Sequence, residues 1–360
     1  MSLLFRYLGQ QIVAAVSLTL LALVLLFGFF DFINELGDVR EQGYTITLAF
    51  LVVTLRLPSI AHEIMPIAAL VGALTALARL ALASEFTVMR AAGLSSRRLV
   101  TYALGIGLGL GVFTLFLGEV VAPPAERIAK QLKLRTTSKL VAQEFRSGLW
   151  AKDGRTFINV RQMQADASLQ DIRLYEFDAD FHLARILHAA SATWTAAGHW
   201  QLNAVEETYL RGDHSETRSL TEIPWRTEIT PDLLAALMVK PERMALTSLY
   251  GYIQHLKANR QKATVYEIAL WNKLAFPIAA TVMLLLALPF AYYRPRTRNV
   301  GAQVLLGILI GLAFHLLNRL SGHLGLINEW PPVVSALLPL TLFSLAALVI
   351  LGRIERPTRR

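Results

Sequence analysis

The chain has 360 residues, of which 54% are hydrophobic and only 17% charged, with a mean hydropathy of +0.45 and a formal net charge of +9. Soluble domains carry about 25% charged residues, so this composition excludes an ordinary soluble globule, and it also excludes disorder, collagen and a coiled coil. Cysteine is absent, which removes disulfide frameworks, thiolate metal sites and thiol nucleophiles.

A helix needs about 20 apolar residues to cross a hydrocarbon core of roughly 30 Å. Six stretches meet that requirement. The first, Ile12–Phe30, is followed by no small-residue cleavage site. It is longer than the ~7–15 residues of a secretory signal core, so it predicts an uncleaved transmembrane helix. The second, Leu48–Leu82, contains Pro58 and Pro66. At about 1.5 Å per residue it exceeds one crossing, so Leu48–Leu57 reads as a tilted or interfacial lead-in. The third is Leu99–Val121. After a long polar stretch come Leu270–Tyr292, Val300–Leu317 and Val333–Leu351. The chain therefore divides into a first membrane block (1–123), an inserted domain (124–264) and a second membrane block (265–360).

Lys and Arg in short loops set orientation. With both termini cytoplasmic, the inside segments carry Arg6, Arg79, Arg90, Arg97, Arg98, Arg294, Arg296, Arg298, Arg353, Arg356, Arg359 and Arg360, whereas the short outside loops carry Arg40 and Arg319. The excess charge thus belongs to the cytoplasmic membrane surface and not to nucleic acid. The domain at 124–264 then faces outward. It holds Trp150, Trp194, Trp200 and Trp225, which are core or groove residues. Strand character appears at Thr156–Val160, Ile172–Phe177 and His199–Leu210. In the last of these, Trp200, Leu202 and Ala204 alternate with Gln201, Asn203 and Val205, and Gly154, Gly198 and Gly212 mark turns. An amphipathic helix at Leu246–Leu256 returns the chain to the membrane.

Catalytic signatures are weak. There is no G-x-x-x-x-G-K-[ST] loop and no G-x-S-x-G elbow. His62-Glu63-Ile64-Met65-Pro66 begins like a zincin motif, but Pro66 stands where the second histidine belongs, which disfavours an intramembrane hydrolase. The connection between the second and third spans says more. In Ala83–Ser95, Ser84 is placed to cap a short helix, and Glu85 suits its positive end. Phe86, Met89 and Arg90 share a face, and Gly93 suits a C-terminal stop. Such a helix fits either a groove on a partner or the lipid headgroups.

The run Ser84-Glu85-Phe86-Thr87-Val88-Met89-Arg90-Ala91-Ala92-Gly93 resembles the cytoplasmic coupling helix, here spanning about 84–95, of the permease pair in the bacterial lipopolysaccharide exporter, the LptF/LptG family. Gly148-Leu149-Trp150-Ala151-Lys152-Asp153-Gly154 resembles a run typical of the G-type member. Pro331-Pro332, Gly118-Glu119 and Ala122-Pro123 are also similar to it. The resemblance implies a polytopic α-helical membrane protein with six transmembrane helices and a periplasmic β-jellyroll domain between the third and fourth. It implies a non-catalytic permease of the bacterial inner membrane with no cofactor of its own, since ATP and magnesium belong to a separate ATPase. The implied partners are an LptF-like permease, an LptB-like ATPase dimer, an LptC-like single-span subunit, a periplasmic LptA-like bridge and lipopolysaccharide. Glu85, Phe86, Met89, Arg90 and Gly93 map onto the ATPase-coupling helix.

Lipopolysaccharide demands cations for its phosphates and an apolar wall for its acyl chains. Lys130 and Lys133, at i and i+3, match basic positions of the family, and Arg319 and Arg40 are further candidates. The wall is expected from the first and fifth spans, at Phe27, Phe30, Leu309 and Phe314. One departure stands out. Relatives carry lysine near the outer end of the first span, where this chain has Asp31, Glu35 and Asp38. Either the phosphate contacts move to Lys130, Lys133 and Arg319, or the lipid carries a different charge. The glycine pairs Gly105/Gly109, Gly107/Gly111 and Gly307/Gly311 fit close helix packing. The sister F permease of the same exporter and a non-transporting scaffold with a periplasmic binding domain are the alternative readings.

Overall fold

The computed structural model describes residues 3–40, 44–136, 148–163, 168–195, 197–211, 214–227, 229–231, 234, 240–292 and 300–355. Arg294, Arg296, Arg298, Arg356, Arg359, Arg360 and Gly212 lie outside the described residues, as does the side chain of Arg40. Six helices are long and apolar enough to cross a membrane, and a six-stranded antiparallel sheet is inserted between the third and the fourth.

The first two are α1 (Leu3–Leu36) and α2 (Ile46–Leu82). α2 is the centre of the bundle: 78% of its most apolar stretch is buried, against 17% for α1. It runs unbroken through Pro58 and Pro66, so the expected lead-in is simply the first part of the same helix. The two helices touch at Gly72, where a Cβ would lie 2.5 Å from Val16 Cα. A short α3 (Glu85–Ala91) turns the chain into α4 (Ser96–Phe116), which continues through a π-helical turn, Leu117–Val121, into α5 (Ala122–Thr136).

After the sheet come α6 (Leu246–Ala258), α7 (Thr264–Ala287), α8 (Val300–Ile327) and α9 (Pro332–Glu355). α7 packs on α2, α4 and α9, and α8 packs on α2 and α9. The membrane core gathers Leu8, Ile12, Leu70, Leu74, Leu99 and Met283. α8 extends well past Leu317, so Arg319 lies within a helix and not in a loop.

The strands are β1 (Leu149–Asp153), β2 (Thr156–Met163), β3 (Leu169–Phe177), β4 (Leu183–Trp194), β5 (Trp200–Arg211) and β6 (His214–Trp225), paired in chain order. The β-jellyroll expected from the resemblance takes the form of this one sheet, bent along a crease. Pairing stays in register on both sides of one row of residues: Val160 with Ile172 and Gln162 with Gln170, Ala189 with Val205 and Ser191 with Asn203, Val205 with Leu220 and Asn203 with Glu222. Along that row Asp171 and Ala204 both have φ of 50°. The left-handed backbone rotates the chain, so facing inverts there. Leu169 and Ile172, Ala189 and Ala192, and Leu202 and Val205 all face the core, three positions apart in place of two. Ala204, expected inward with Trp200 and Leu202, is therefore exposed, and Val205 is buried in its stead. Trp200 fills the domain core, its indole N–H donating to Ile229 O at 2.7 Å.

Asp171 anchors the crease electrostatically. It meets Arg161 at 3.0 Å, His188 at 2.8 Å and Arg173 at 3.7 Å. Burial pushes its carboxyl up, but the His188 hydrogen bond and the two guanidiniums outweigh that and hold it below the ordinary carboxylate value. A depressed folded value contributes stability above the unfolded value near pH ~4, and that contribution disappears as pH falls through the folded value. In Asp171→Asn, where asparagine still tolerates positive φ, the acid-side loss of Trp fluorescence signal should start from a lower baseline and lose that part of its pH dependence.

Candidate functional site

At the end of the bundle far from the sheet, α3 is clamped to its own chain. Phe86 and Met89 are buried, with Phe86 edge-on to Tyr292 at 5.2 Å, so these two side chains face inward within the chain. Glu85 accepts a hydrogen bond from the Tyr7 hydroxyl of α1 at 2.7 Å. The Arg90 guanidinium lies 5.1 Å from the Tyr292 ring centroid, and the Tyr292 hydroxyl donates to Ser96 Oγ at 3.0 Å. Ser84 sits at φ 61° and makes no side-chain capping bond, contrary to the expected cap.

The stop at Gly93 has the expected form. With φ at +98°, its N–H donates to Arg90 O and that of Leu94 to Met89 O, both at 3.0 Å. The open face of α3 consists of Thr87, Val88, Arg90 and Ala91, with Val88 66% exposed.

At the sheet-side end, charges that the sequence left unpartnered find one another. Lys133 on α5 lies 2.5 Å from Glu35 on α1, and Arg56 on α2 lies 2.9 Å from Glu35 and 3.5 Å from Asp31. The Tyr44 hydroxyl donates to Glu35 at 2.7 Å. Lys130 stands half-buried one helical turn before Lys133. Asp31 and Glu35 are thus neutralised inside the chain. A second cluster joins Arg243 to Glu126 of α5 at 2.8 Å and to Glu63 of α2 at 3.4 Å.

A cavity of about 440 Å³ opens between α2, α7 and α8, lined by His62, Glu63, Arg243, Lys273, His315 and Arg319. Arg319 is exposed, so a cationic head stands over a recess that also holds two imidazoles. The floor is fixed by the π turn. Lys273 lies 2.5 Å from Glu119 and donates to Gly118 O at 3.2 Å and to Met244 O. Glu119 also accepts the Leu246 N–H at 2.7 Å, holding the start of α6. His62 stacks on Phe276 at 5.4 Å, with Nδ1 3.0 Å from Thr114 O, and a Cβ at position 118 would strike its ring. His62 is therefore packed against a glycine and an aromatic ring, and among the described residues it belongs to no group of three ligand atoms close enough to hold a metal.

Of the expected wall, Phe27, Phe30 and Leu309 are exposed on α1 and α8. Phe314 is not on that surface: it is 5% exposed and packs edge-on to Phe343 of α9 at 5.2 Å. Arg56 and Lys273 lie inside spans, so charges counted in loops do not point to them. A cation inside an apolar span was the available signal, since such groups are costly and mark function or a specific partner.

The spans, the inserted sheet and the clamped connecting helix define a polytopic membrane permease. The chain belongs to the lipopolysaccharide export system permease LptF/LptG family, whose family model matches residues 6–353. It is 32% identical over 349 residues to lipopolysaccharide export system permease protein LptG of Haemophilus influenzae, covering 97% of this chain and 98% of the relative. It is likewise 32% identical over 350 residues to LptG of Escherichia coli K12, covering 97% of each. The similarity is thus to the G-type permease of the pair.

Proposed function

We propose that this chain is the G-type transmembrane subunit of an exporter that draws lipopolysaccharide from the bacterial inner membrane and passes it along the inserted sheet to a periplasmic bridge. In this reading both termini and α3 are cytoplasmic and the sheet is periplasmic. An LptF-like permease completes the cavity, an LptC-like single-span subunit accompanies the pair, and an LptA-like bridge receives the lipid. ATP and magnesium are bound by an LptB-like ATPase dimer that grips α3.

The observation that carries the reading is how α3 is held. It is tied to α1 through Tyr7 and to Tyr292 just beyond α7, whose hydroxyl in turn reaches Ser96 of α4, while one face stays open. A push on that face would be passed to these elements through those contacts. Apolar α1 and α8 faces offer the wall for acyl chains, and Arg319 with Lys130 offers cations for phosphate.

A pull-down in mild detergent tests it. Wild type should retain a sister permease and a nucleotide-binding protein. Val88→Asp should lower the retained ATPase by about tenfold or more, because it sets a carboxylate on the open face where a partner must desolvate it. The variant should still insert and keep the sister permease. Recovery of the ATPase at wild-type yield would overturn α3 as the lever, and a chain that holds neither protein would fit a scaffold.

A further inference from the structure

The last two turns of α1 are attached in an unusual way. Beyond Gly28, Glu35 is the only buried residue of α1 among the described residues, while Phe29, Phe30, Ile33 and Leu36 are exposed. Apolar packing at this end is slight, with Phe32 half-buried and edge-on to Phe50 of α2 at 6.2 Å. The buried attachment is Glu35, whose carboxylate takes Lys133 at 2.5 Å, Arg56 at 2.9 Å and the Tyr44 hydroxyl at 2.7 Å. With Asp31 beside Arg56 at 3.5 Å, the clasp sets two carboxylates against two cations. It is also imperfect. Asp31 Oδ2 and Arg56 Nε are buried with no hydrogen-bond partner among the described residues, although buried polar groups are nearly always satisfied.

Building on the permease reading above, we propose that Glu35 is an internal stand-in for a phosphate on the Arg56–Lys133 cation pair, and that displacing it selects phosphomonoester lipids over phosphodiester lipids. A carboxylate offers one negative charge on two oxygens. A phosphomonoester carries about 1.5 to 2 charges at neutral pH on three terminal oxygens, and can fill the planar Arg56 fork while reaching Lys133. The phosphodiester of a bulk phospholipid has one charge, as Glu35 has, and gains nothing by the exchange. Glu35 is covalently part of α1, so the phosphate that replaces it also frees the end of the helix that bears Phe30. Recognition of the headgroup and loosening of the apolar wall are then one event.

The test uses the full chain with its co-purifying subunits in nanodiscs, and reads by native mass spectrometry the ratio of bound bis-phosphorylated lipid A to bound phosphatidylglycerol. Glu35→Gln keeps the shape and removes the competing charge. It should lower the preference for lipid A by about tenfold, through increased phosphatidylglycerol binding. A spin label at position 30 should become more mobile in that variant without added lipid A. Arg56→Gln should weaken binding of both lipids. A wild-type preference in Glu35→Gln overturns the clasp. If that variant does not assemble, Asp31→Asn, at a less buried site, should shift the preference in the same direction by a smaller factor, and an unchanged ratio there overturns it equally. A wild-type complex that binds no lipid A overturns the permease reading itself, and that result differs from retained selectivity in the variants.

Discussion

Lys273→Met is expected to destabilise the chain by about 3–5 kcal/mol, the usual cost of removing one member of a buried ion pair. The ammonium is buried and serves three partners on two elements: the Glu119 carboxylate, the Gly118 carbonyl and the Met244 carbonyl. Methionine matches the length of the stem but leaves Glu119 charged beside apolar helices and removes the ammonium donor from two carbonyls. Thermal unfolding in detergent should show the fall. Adding Glu119→Gln should recover much of it, because the amide can still accept from Leu246 N–H and no charge remains stranded. An unshifted transition in the single variant would mean that the π turn is held by something else.

Gly72→Ala is the second large effect. A methyl group there would lie 2.5 Å from Val16 Cα and 2.7 Å from Val16 N, both backbone atoms that cannot rotate away. α1 and α2 must separate, at a cost of about 1–3 kcal/mol for overpacking, which exceeds the gain of up to ~1 kcal/mol in helix propensity. Gly109→Ala is the matched control, since nothing lies within 4 Å of its added methyl. That change should be neutral or mildly stabilising. Comparing the two transitions separates close approach from backbone freedom, and equal shifts would refute the packing argument.

Much of the architecture was legible because hydropathy is a sum over many residues. Six spans and a polar insertion can be read from runs of Leu, Val and Ala, and Gly93 ends α3 by a rule that needs only four neighbouring residues. Phase was harder. Phe86 and Met89 form an apolar stripe that fits a partner or the chain's own core equally well, and only Tyr292, some two hundred residues away, decides for the core. Phe314 is similar, turned inward by Phe343.

In the sheet, β6 is exposed along most of its length, so its alternation carries no hydrophobic signal. β5 shows alternation that inverts midway at Ala204, which no period-two reading follows. The ionic contacts were least legible. Asp31 and Glu35 looked out of place because their cations lie on two other helices, at Arg56 and Lys133.

The crease in the inserted sheet has one more implication. Five strands cross it at a single row with the ladder in step on either side. The angle between the two leaves is therefore set at that one row, and the ladders on either side do not have to change for it.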